Sequence, residues 1–294
     1  MTTTAPTTAL LTLAHGRHHH LEELLRGLAA GSVAPDLLVV AAMDDPEIAS
    51  VVRTHAPPEV PVDVVAVDAH RWGLPLAAAR NRAAARAIAA GAELLVFLDV
   101  DCIPGRRLVE RHREVAQGAK PGSDDVWSGA VHYLSPRTRG ERYTAMELEQ
   151  SRPHAARPVA PPDGVVATDD LRLFWSLSFA ITADTWQRVG GFDEGYDGYG
   201  GEDTDFAMKL ARADGRLCWV GGAPAYHQHH EVESPPRRHL ADIVRNSNRF
   251  AGRWGWFPME GWLAAFADEG LITLAGRTPR WHLTAAGHRA ARRP

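Results

Sequence analysis

The sequence has few cysteines, almost no lysine and no long apolar run, and these deficits exclude several classes of protein. Cys102 and Cys218 are too few to form a disulfide framework. No run of 18 apolar residues occurs, so no transmembrane anchor is expected. The N-terminal sequence MTTTAPTTALLTLAHG lacks the basic region and the long apolar region of a signal peptide. We therefore expect a cytoplasmic protein.

The charge and composition are those of a globular protein. The formal net charge of -4 gives no reason to expect a nucleic-acid partner. With 45% hydrophobic and 23% charged residues, the chain does not have the composition of a disordered protein. Only Lys120 and Lys209 among the 32 basic residues are lysines, a bias that GC-rich coding explains. The 294 residues suffice for one large domain or two small ones.

In the first half, apolar segments alternate with helical patterns, which is typical of a parallel sheet covered by helices. The predicted strands are residues 10–14, 37–43, 62–67 and 94–98, and the predicted helices are 21–28 and 76–90. Residues 1–8 are rich in threonine and are predicted to be disordered. The second half is predicted to contain strands at 126–134, 173–181 and 217–220, helices at 204–213 and 239–250, and a long loop over 135–170.

Two carboxylates follow the fourth predicted strand, in the sequence LLVFLDVDCIPG (94–105). Because ligand sites of open α/β sheets form at the carboxyl ends of strands, Asp99 and Asp101 are placed to bind one divalent cation. Mg²⁺ and Mn²⁺ prefer such oxygen ligands, and substrate phosphates usually complete their coordination. An acidic cap on the following helix would explain the same pair without a metal.

A glycine-rich run, GGFDEGYDGYGGEDTDFAMKL (190–210), leads to Glu202 and Asp203 at the start of a predicted helix. Acidic residues at that position also serve as helix caps. Capping does not explain the glycines around Tyr196 and Tyr199. Glycine lets a backbone approach a ligand closely, and aromatic faces stack on sugar rings. The run therefore predicts a binding surface that ends in two carboxylates.

Histidines cluster at two places. The sequence AYHQHHEVE (225–233) supplies His227, His229 and His230 after a short strand, and neutral imidazole can ligate Mn²⁺. A surface loop without function would explain them equally well. Residues 18–20 form a second cluster, predicted as a loop before the first helix and near phosphate. The sequence lacks the HExxH and paired CxxC motifs of zinc sites, the GxSxG elbow and the P-loop.

Taken in order, these segments resemble the nucleotide-sugar-dependent glycosyltransferases of family 2, which have the GT-A fold. The second half is similar to the galactosyltransferase C-terminal module. The resemblance covers residues 9 to about 232 and is carried by LLTLAHGR, LLVVAAMDDPE, GLPLAAARNRAAARA, FLDVD, FWSLSFAITADTWQRVGGFDE, GYGGEDTDFAMKL and AYHQHH.

The resemblance implies an α/β fold, a Rossmann-like mixed sheet flanked by helices. This GT-A domain would span 9–235, with a nucleotide-sugar-binding half at 9–125 and an acceptor-binding half at 126–235. Residues 236–294, the C-terminal extension, would be helical.

The resemblance also implies the residues of the site. Asp99, Asp101 and His227 would bind Mn²⁺ or Mg²⁺, which holds the donor diphosphate. The donor site would comprise His15, Arg17, Asp44, Asp45, Arg80, Asn81, Asp99 and Val100. The acceptor site would comprise Trp175, Tyr199, Gly200, Gly201 and Glu202, with Tyr196 as a further stacking surface. Asp203 would take the proton of the acceptor hydroxyl and Glu202 would assist it, so that the sugar is transferred with inversion.

The implied partners are a nucleotide-sugar donor, with UDP preferred over GDP, and an acceptor that is a saccharide, a lipid-linked molecule or a small molecule. A homo-oligomer is left open. His15, Arg17, Cys102 and Tyr199 depart from the usual pattern of the family, which leaves the donor sugar and base open. Two alternatives remain, namely a nucleotidyltransferase or other phosphoryl-transfer enzyme on a similar sheet, and a catalytically inactive sugar-binding protein.

Overall fold

The computed structural model describes residues 5–68, 73–120, 122–138, 141–231 and 233–291. The first half contains β1 (Thr8–Ala14), α1 (His18–Ala29), β2 (Leu37–Met43), α2 (Ile48–His55), β3 (Val62–Val67), α3 (Leu76–Ala89) and β4 (Leu94–Leu98). Next come β5 (Cys102–Pro104), α4 (Leu108–Gly118), β6 (Asp125–Tyr133), α5 (Ala145–Gln150), β7 (Val165–Thr168), β8 (Ser178–Thr182), α6 (Ala183–Val189), α7 (Glu202–Arg212) and β9 (Arg216–His227). The C-terminal extension contains α8 (Leu240–Trp254), α9 (Glu260–Asp268), β10 (Ile272–Ala275), β11 (Arg280–Leu283) and α10 (Ala285–Ala290).

One nine-stranded mixed sheet forms the centre of the fold. Its order is β3-β2-β1-β4-β8-β6-β9-β5, with β7 paired to β9. The first four strands in this order are parallel, as the alternating pattern predicts. Strand β8 runs antiparallel to β4, and β6 runs antiparallel to β8. The fold is therefore the mixed, helix-flanked sheet that the sequence predicts.

Helices cover both faces of the sheet, because the central strands β1 and β4 are buried along their whole length. In β4, Phe97 belongs to the core beneath α3 and α7, whereas the next residue back, Val96, belongs to the core beneath α1. This burial leaves the ends of the strands as the places where polar side chains collect. None of the described helices is both long enough and apolar enough to span a membrane.

The structure corrects the predicted elements of the first half at two points. Thr8 is the first residue of β1 and is fully buried, so the prediction of disorder up to residue 8 is wrong there. Its amide donates to Asp36 Oδ2 at 2.8 Å, which fixes the strand end, while residues 1–4 lie outside the described residues. The histidine cluster at 18–20 is the first turn of α1 rather than a loop. Helices α2, α4 and α6 and strand β5 were not predicted from the sequence.

The second half differs more. The predicted strand at 173–181 begins only at Ser178, since the Arg157 guanidinium donates to the carbonyls of Leu173 and Trp175 and keeps them out of the ladder. The predicted loop at 135–170 contains α5 and β7. Strand β9 continues to His227, because β5 and β6 pair along its second half. The extension is not wholly helical, since β10 and β11 form a hairpin.

Strands β6 and β9 approach each other closely where their register shifts. Within β6, Gly129 faces the Ala223 carbonyl, and an added Cβ would lie 1.8 Å from that oxygen. The register of the two strands shifts between Gly129 and Val131. Beyond this irregularity the strands pair again up to His227, which ends β9.

Replacing Gly129 by Ala should therefore destabilise the protein by about 1–3 kcal/mol, the usual cost of overpacking. Urea unfolding followed by circular dichroism measures this change. Gly252→Ala in α8 is the matched control, because its Cβ would enter open space, and it should gain up to about 1 kcal/mol of helix propensity. Equal free energies of unfolding for the two variants would contradict this account of the strand contact.

Candidate active site

Three side chains that could ligate a metal ion meet where β4 and β9 end. Strand β5 pairs with β9 so that Cys102 lies opposite His227, which brings the preceding Asp101 beside that histidine. Asp101 Oδ1 lies 3.7 Å from His227 Nε2, and Asp101 Oδ2 lies 3.4 Å from His230 Nε2. One ligand atom from each of the three lies within 4.8 Å of the others. A carboxylate and two imidazoles suit Mn²⁺, so this donor set fits the predicted divalent ion.

The charges around Asp101 keep it ionised. Burial disfavours the carboxylate, but His230, His227 and Arg17 outweigh it and lower the pKa of Asp101 to about 2. Arg17 Nη1 lies 2.5 Å from Asp101 Oδ2. Burial lowers the pKa of His227, which keeps its imidazole neutral at pH 7. A neutral imidazole beside an ionised carboxylate is the state that metal binding requires.

The structure selects among the three histidines of the 225–233 segment. His227 and His230 lie against Asp101, whereas the side chain of His229 is exposed. The His229 amide lies 3.4 Å from the Tyr143 hydroxyl, which fixes the backbone between the two inward-facing histidines. The sequence left this choice open, and it named only His227 as a ligand.

Asp99 does not belong to this group of possible metal ligands. Its Oδ1 accepts a hydrogen bond from Arg80 Nη2 at 3.1 Å. The chain turns at Val100 and Asp101, with the Cys102 amide donating to the Asp99 carbonyl, so Asp101 alone of the two carboxylates faces the histidines. The Val100 side chain is buried in the core, so only its backbone could contact a donor.

The predicted donor residues of β1 and β2 lie at the same edge of the sheet. Asp45 Oδ2 accepts hydrogen bonds from the Gly16 amide at 2.7 Å and from His18 Nε2 at 2.9 Å. Burial opposes ionisation, but these hydrogen bonds lower the pKa of Asp45. His15 Nδ1 hydrogen-bonds the carbonyl of the last residue of β2 at 2.7 Å. Asp44 remains exposed, so it is the carboxylate of this pair that a ligand can reach.

Arg80 and Asn81 are neighbours on α3 but contact different parts of the protein. Arg80 is 3% exposed, and its guanidinium lies between Asp99 and Glu202. Asn81 Nδ2 donates to the Phe192 carbonyl at 2.9 Å, and Asn81 Oδ1 accepts from the Phe192 amide at 2.8 Å. Asn81, which was predicted to lie near the nucleotide, instead fixes the start of the glycine-rich segment.

Helix α7 begins with the two predicted catalytic carboxylates. Gly201, at φ 93°, precedes the helix, a backbone conformation that favours glycine. Glu202 Oε1 lies 3.8 Å from Arg80 Nη1. Asp203 Oδ2 accepts a hydrogen bond from the Ser176 amide at 3.1 Å. Within the described part of the chain, Asp203 Oδ1 and Glu202 Oε2 are buried and accept no hydrogen bond.

Burial raises the pKa of two carboxylates around Arg80. The pKa of Asp99 rises to about 6 through burial and the nearby Asp101 and Asp203 charges, although Arg80 opposes this. The pKa of Glu202 rises to about 7 through burial and the adjacent Asp203 charge. Since the Asp101 pKa is lowered, the site contains carboxylates of clearly different acidity, which is typical of catalytic centres.

A row of aromatic rings runs from His227 toward Asp203. Tyr133 stacks on His227 with ring centroids 4.7 Å apart, and His154 lies 5.2 Å from Tyr133 and 5.1 Å from Trp175. Ser176, whose amide holds Asp203, follows directly in the chain. The structure thus places the predicted Trp175 in the site, together with two residues that the sequence did not single out. Tyr133 and His154 lie in no motif, so only spatial proximity identifies them.

Arg157 is a further residue that the sequence missed. It is 6% exposed, and its guanidinium lies 4.6 Å from the Trp175 ring and 5.2 Å from the Trp219 ring. Burial lowers its pKa to about 10. Its hydrogen bonds to the Leu173 and Trp175 carbonyls shape the segment that supplies the Ser176 amide. A single arginine in a proline-rich segment carries no recognisable signal in the sequence.

The glycines and Tyr196 do not form the open ligand surface that the sequence predicts. Tyr196 is 2% exposed, so it offers no face for stacking. An added Cβ at Gly200 would lie 2.7 Å from Met259 Sδ, and one at Gly201 would lie 3.1 Å from Tyr196 Cε1. These predicted acceptor glycines therefore pack against protein. Tyr199 remains 37% exposed and is available at this surface.

Sequence comparison finds similarity to glycosyltransferases. A family model described as the N-terminal domain of galactosyltransferase matches residues 169–231, which include both the α7 carboxylates and the metal-facing histidines. The chain is 28% identical over 274 residues to validoxylamine A glucosyltransferase of Streptomyces hygroscopicus subsp. limoneus. The match covers 85% of this chain and 57% of that relative, so the chain spans little more than half of the relative's length.

Two solved structures share the fold. TarS 1–349 of S. aureus, in complex with UDP-GlcNAc, matches with a TM-score of 0.56 at 14% identity, covering 84% of this chain and 73% of that one. The mannosyltransferase PcManGT of Pyrobaculum calidifontis, in complex with GDP-Man and Mn²⁺, gives a TM-score of 0.52 at 19% identity, covering 90% and 65%. The fold is therefore that of the GT-A glycosyltransferases, and the chain is similar in sequence to a glucosyltransferase. Residues 169–231, in its second half, are similar to a galactosyltransferase module.

The metal-facing group makes a direct prediction. Changing His230 to Ala should weaken Mn²⁺ binding as much as His227→Ala does, because both imidazoles lie against Asp101. Loss of an outer partner of a metal ligand already costs about 10–100-fold in affinity, so loss of a ligand should cost at least as much. Isothermal titration with Mn²⁺ measures the affinities. The control, His229→Ala, should bind like the unaltered protein, and a loss equal to that of His230→Ala would contradict the assignment.

Proposed function

We propose that this chain is a metal-dependent, inverting glycosyltransferase that moves a sugar from a nucleotide-sugar to an acceptor hydroxyl. The observation that carries the proposal is a connected set of charged side chains with two functional parts. Asp101 and its two histidines form a cation site, and Asp203 is a separate carboxylate suited to act as a base. Arg80 and Asp99 lie between them.

Asp101, His227 and His230 would hold the divalent ion, Mn²⁺ or Mg²⁺. When bound, the ion neutralises the charge that develops on the leaving diphosphate. Arg17 donates to Asp101 and brings a second cation to the same place. A guanidinium is well suited to phosphate oxygens. These residues together support a donor whose diphosphate lies beyond the end of β4.

The nucleotide would lie along the ends of β1 and β2, because the carboxyl ends of parallel strands form the ligand edge of such sheets. Asp44 is exposed there and would accept hydrogen bonds from ribose or base. His15, which contacts the Met43 carbonyl, and Arg17, which contacts Asp101, lie on the loop after β1. We keep UDP as the first donor to test and GDP as the second, since similar structures include one with UDP-GlcNAc and one with GDP-Man.

Asp203 would act as the general base. The Ser176 amide fixes one of its oxygens, and the other accepts no hydrogen bond from the described residues. A carboxylate that takes the acceptor proton suits single displacement, with attack opposite the leaving diphosphate and inversion at the anomeric carbon. Glu202, with its pKa raised to about 7, can donate or accept a hydrogen bond at neutral pH and would orient the acceptor hydroxyl.

Validoxylamine A and a nucleotide-activated glucose are the first substrates to test, because a relative is named validoxylamine A glucosyltransferase. The chain spans little more than half of that relative, so its own substrates remain a proposal. The cytoplasmic location also stays a prediction, and the oligomeric state stays open.

The donor assignment is tested by thermal shift with UDP-glucose, GDP-mannose, UDP and GDP, each with and without Mn²⁺. A ligand at 100 times its dissociation constant should stabilise the protein by about 2.7 kcal/mol. The nearly isosteric Asp101→Asn should lose the part of the shift that depends on Mn²⁺. A shift that EDTA leaves unchanged would contradict the metal. Release of pyrophosphate would indicate a phosphoryl-transfer enzyme, and binding without turnover would indicate a sugar-binding protein.

Changing Asp203 to Asn should lower turnover by roughly 10²–10⁴, the usual contribution of a general base. Asparagine keeps an oxygen for the Ser176 amide, so the unfolding temperature should change little. Proton NMR of the product made from an α-linked donor should show a β linkage. An α-linked product would contradict inversion, and near-normal turnover of Asp203→Asn would contradict its role as the base.

A further inference from the structure

The glycine-rich segment is shaped to pack against the C-terminal extension. An added Cβ at Gly195 would lie 2.1 Å from Arg249 Cζ, and one at Gly198 would lie 2.3 Å from Asp242 Oδ2. Both partners belong to α8. Side chains larger than hydrogen at these positions would push the extension away from the segment that precedes α7.

Ion pairs and hydrogen bonds reinforce this contact. Asp205, fully buried in the first turn of α7, accepts hydrogen bonds from Arg253 Nη1 at 3.1 Å and from Trp254 Nε1 at 2.7 Å. Arg249 Nη2 lies 2.8 Å from Asp193 Oδ1 at the start of the glycine-rich segment. The extension is therefore fixed against the glycine-rich segment and α7, although it lies outside the residues that match the galactosyltransferase model.

The extension presents two aromatic rings beside Tyr199. His239 stacks on Tyr199 with centroids 4.6 Å apart, and Trp262 lies 5.9 Å from Tyr199 at an interplanar angle of 28°. All three side chains are partly exposed, with 37% of Tyr199 accessible. Asn246 Nδ2, from α8, donates to the Tyr199 carbonyl at 3.3 Å and fixes the backbone beneath the ring.

We propose that Tyr199, His239 and Trp262 bind a polyhydroxylated ring of the acceptor, so that the extension selects the acceptor. The proposal rests on the proposed function. Aromatic faces contact the C–H groups of such rings, while the hydroxyl groups around the rim need polar partners. Glu202 and Asp203 follow Tyr199 in the chain and supply carboxylate oxygens without partners in the described part of the site.

The Tyr199 phenol carries no charge at neutral pH. Burial, together with the nearby Glu202 and Asp203 charges, raises the pKa of Tyr199 to about 12, so its phenol stays neutral. The Tyr199 ring therefore offers stacking area and one hydroxyl rather than a charge. An acceptor ring bound at Tyr199 would direct a hydroxyl toward the start of α7, where the proposed base, Asp203, is located.

Saturation-transfer NMR with cellobiose and myo-inositol, in the presence of UDP and Mn²⁺, tests the proposal. Both ring probes should receive saturation from the protein. Trp262→Ala should weaken their binding about 2- to 10-fold, the range expected for loss of one aromatic stacking contact. Trp256→Ala is the matched control, because Trp256 belongs to the same extension but packs on Phe250. It should bind both probes like the unaltered protein.

His239→Ala provides a second variant in case Trp262→Ala does not fold, since 38% of the His239 side chain is exposed. It should weaken probe binding in the same direction. Absence of saturation transfer to either probe, or equal effects of Trp262→Ala and Trp256→Ala, would overturn the proposal. A failure of UDP to bind the unaltered protein would instead contradict the proposed function. Binding of the two ring probes can be measured without UDP, so the two failures are distinguishable.

Discussion

The buried guanidinium of Arg80 joins the two parts of the candidate site, the end of β4 and the start of α7. It donates to Asp99 at the end of β4 and lies 3.8 Å from Glu202 at the start of α7, with only 3% of its surface exposed. Removing one partner of a buried ion pair leaves an uncompensated charge, which typically costs about 3–5 kcal/mol. Arg80 therefore fixes the spacing between two elements that are more than 100 residues apart in the chain, and the other carboxylates are arranged around it.

Local surroundings give chemically similar carboxylates different properties. Asp101 faces Arg17 and two imidazoles and stays ionised, as a metal ligand must. Glu202 is buried next to another carboxylate and holds its proton up to near neutral pH. Such a separation of pKa values allows one group of acids to bind a cation while another handles a proton. The backbone contributes as well, because the Ser176 amide orients Asp203.

The extension changes how the glycine-rich segment is understood. Glycines are often needed where a backbone approaches a ligand, but Gly195 and Gly198 approach α8 instead. The buried Asp205 then ties α7 to Arg253 and Trp254 of the same helix. The segment before Glu202 and Asp203 is consequently held by protein on one side, and Tyr199 is the ring of this segment that stays exposed.

The sequence by itself determined the parallel strands, the class of fold and the three segments that form the site, because buried strands and polar strand ends leave local patterns. It predicted Asp101, His227, Asp203 and Arg80, and the structure brings these together. The sequence did not show that Asp99 binds Arg80, or that His230 rather than His229 lies against Asp101. It also did not identify Arg157 and Tyr133 as residues of the site. Those outcomes depend on strand register, on the turn after β4 and on packing between distant segments. Only the tertiary structure decides them, because a side chain's neighbours across a sheet are not encoded in its neighbours along the chain.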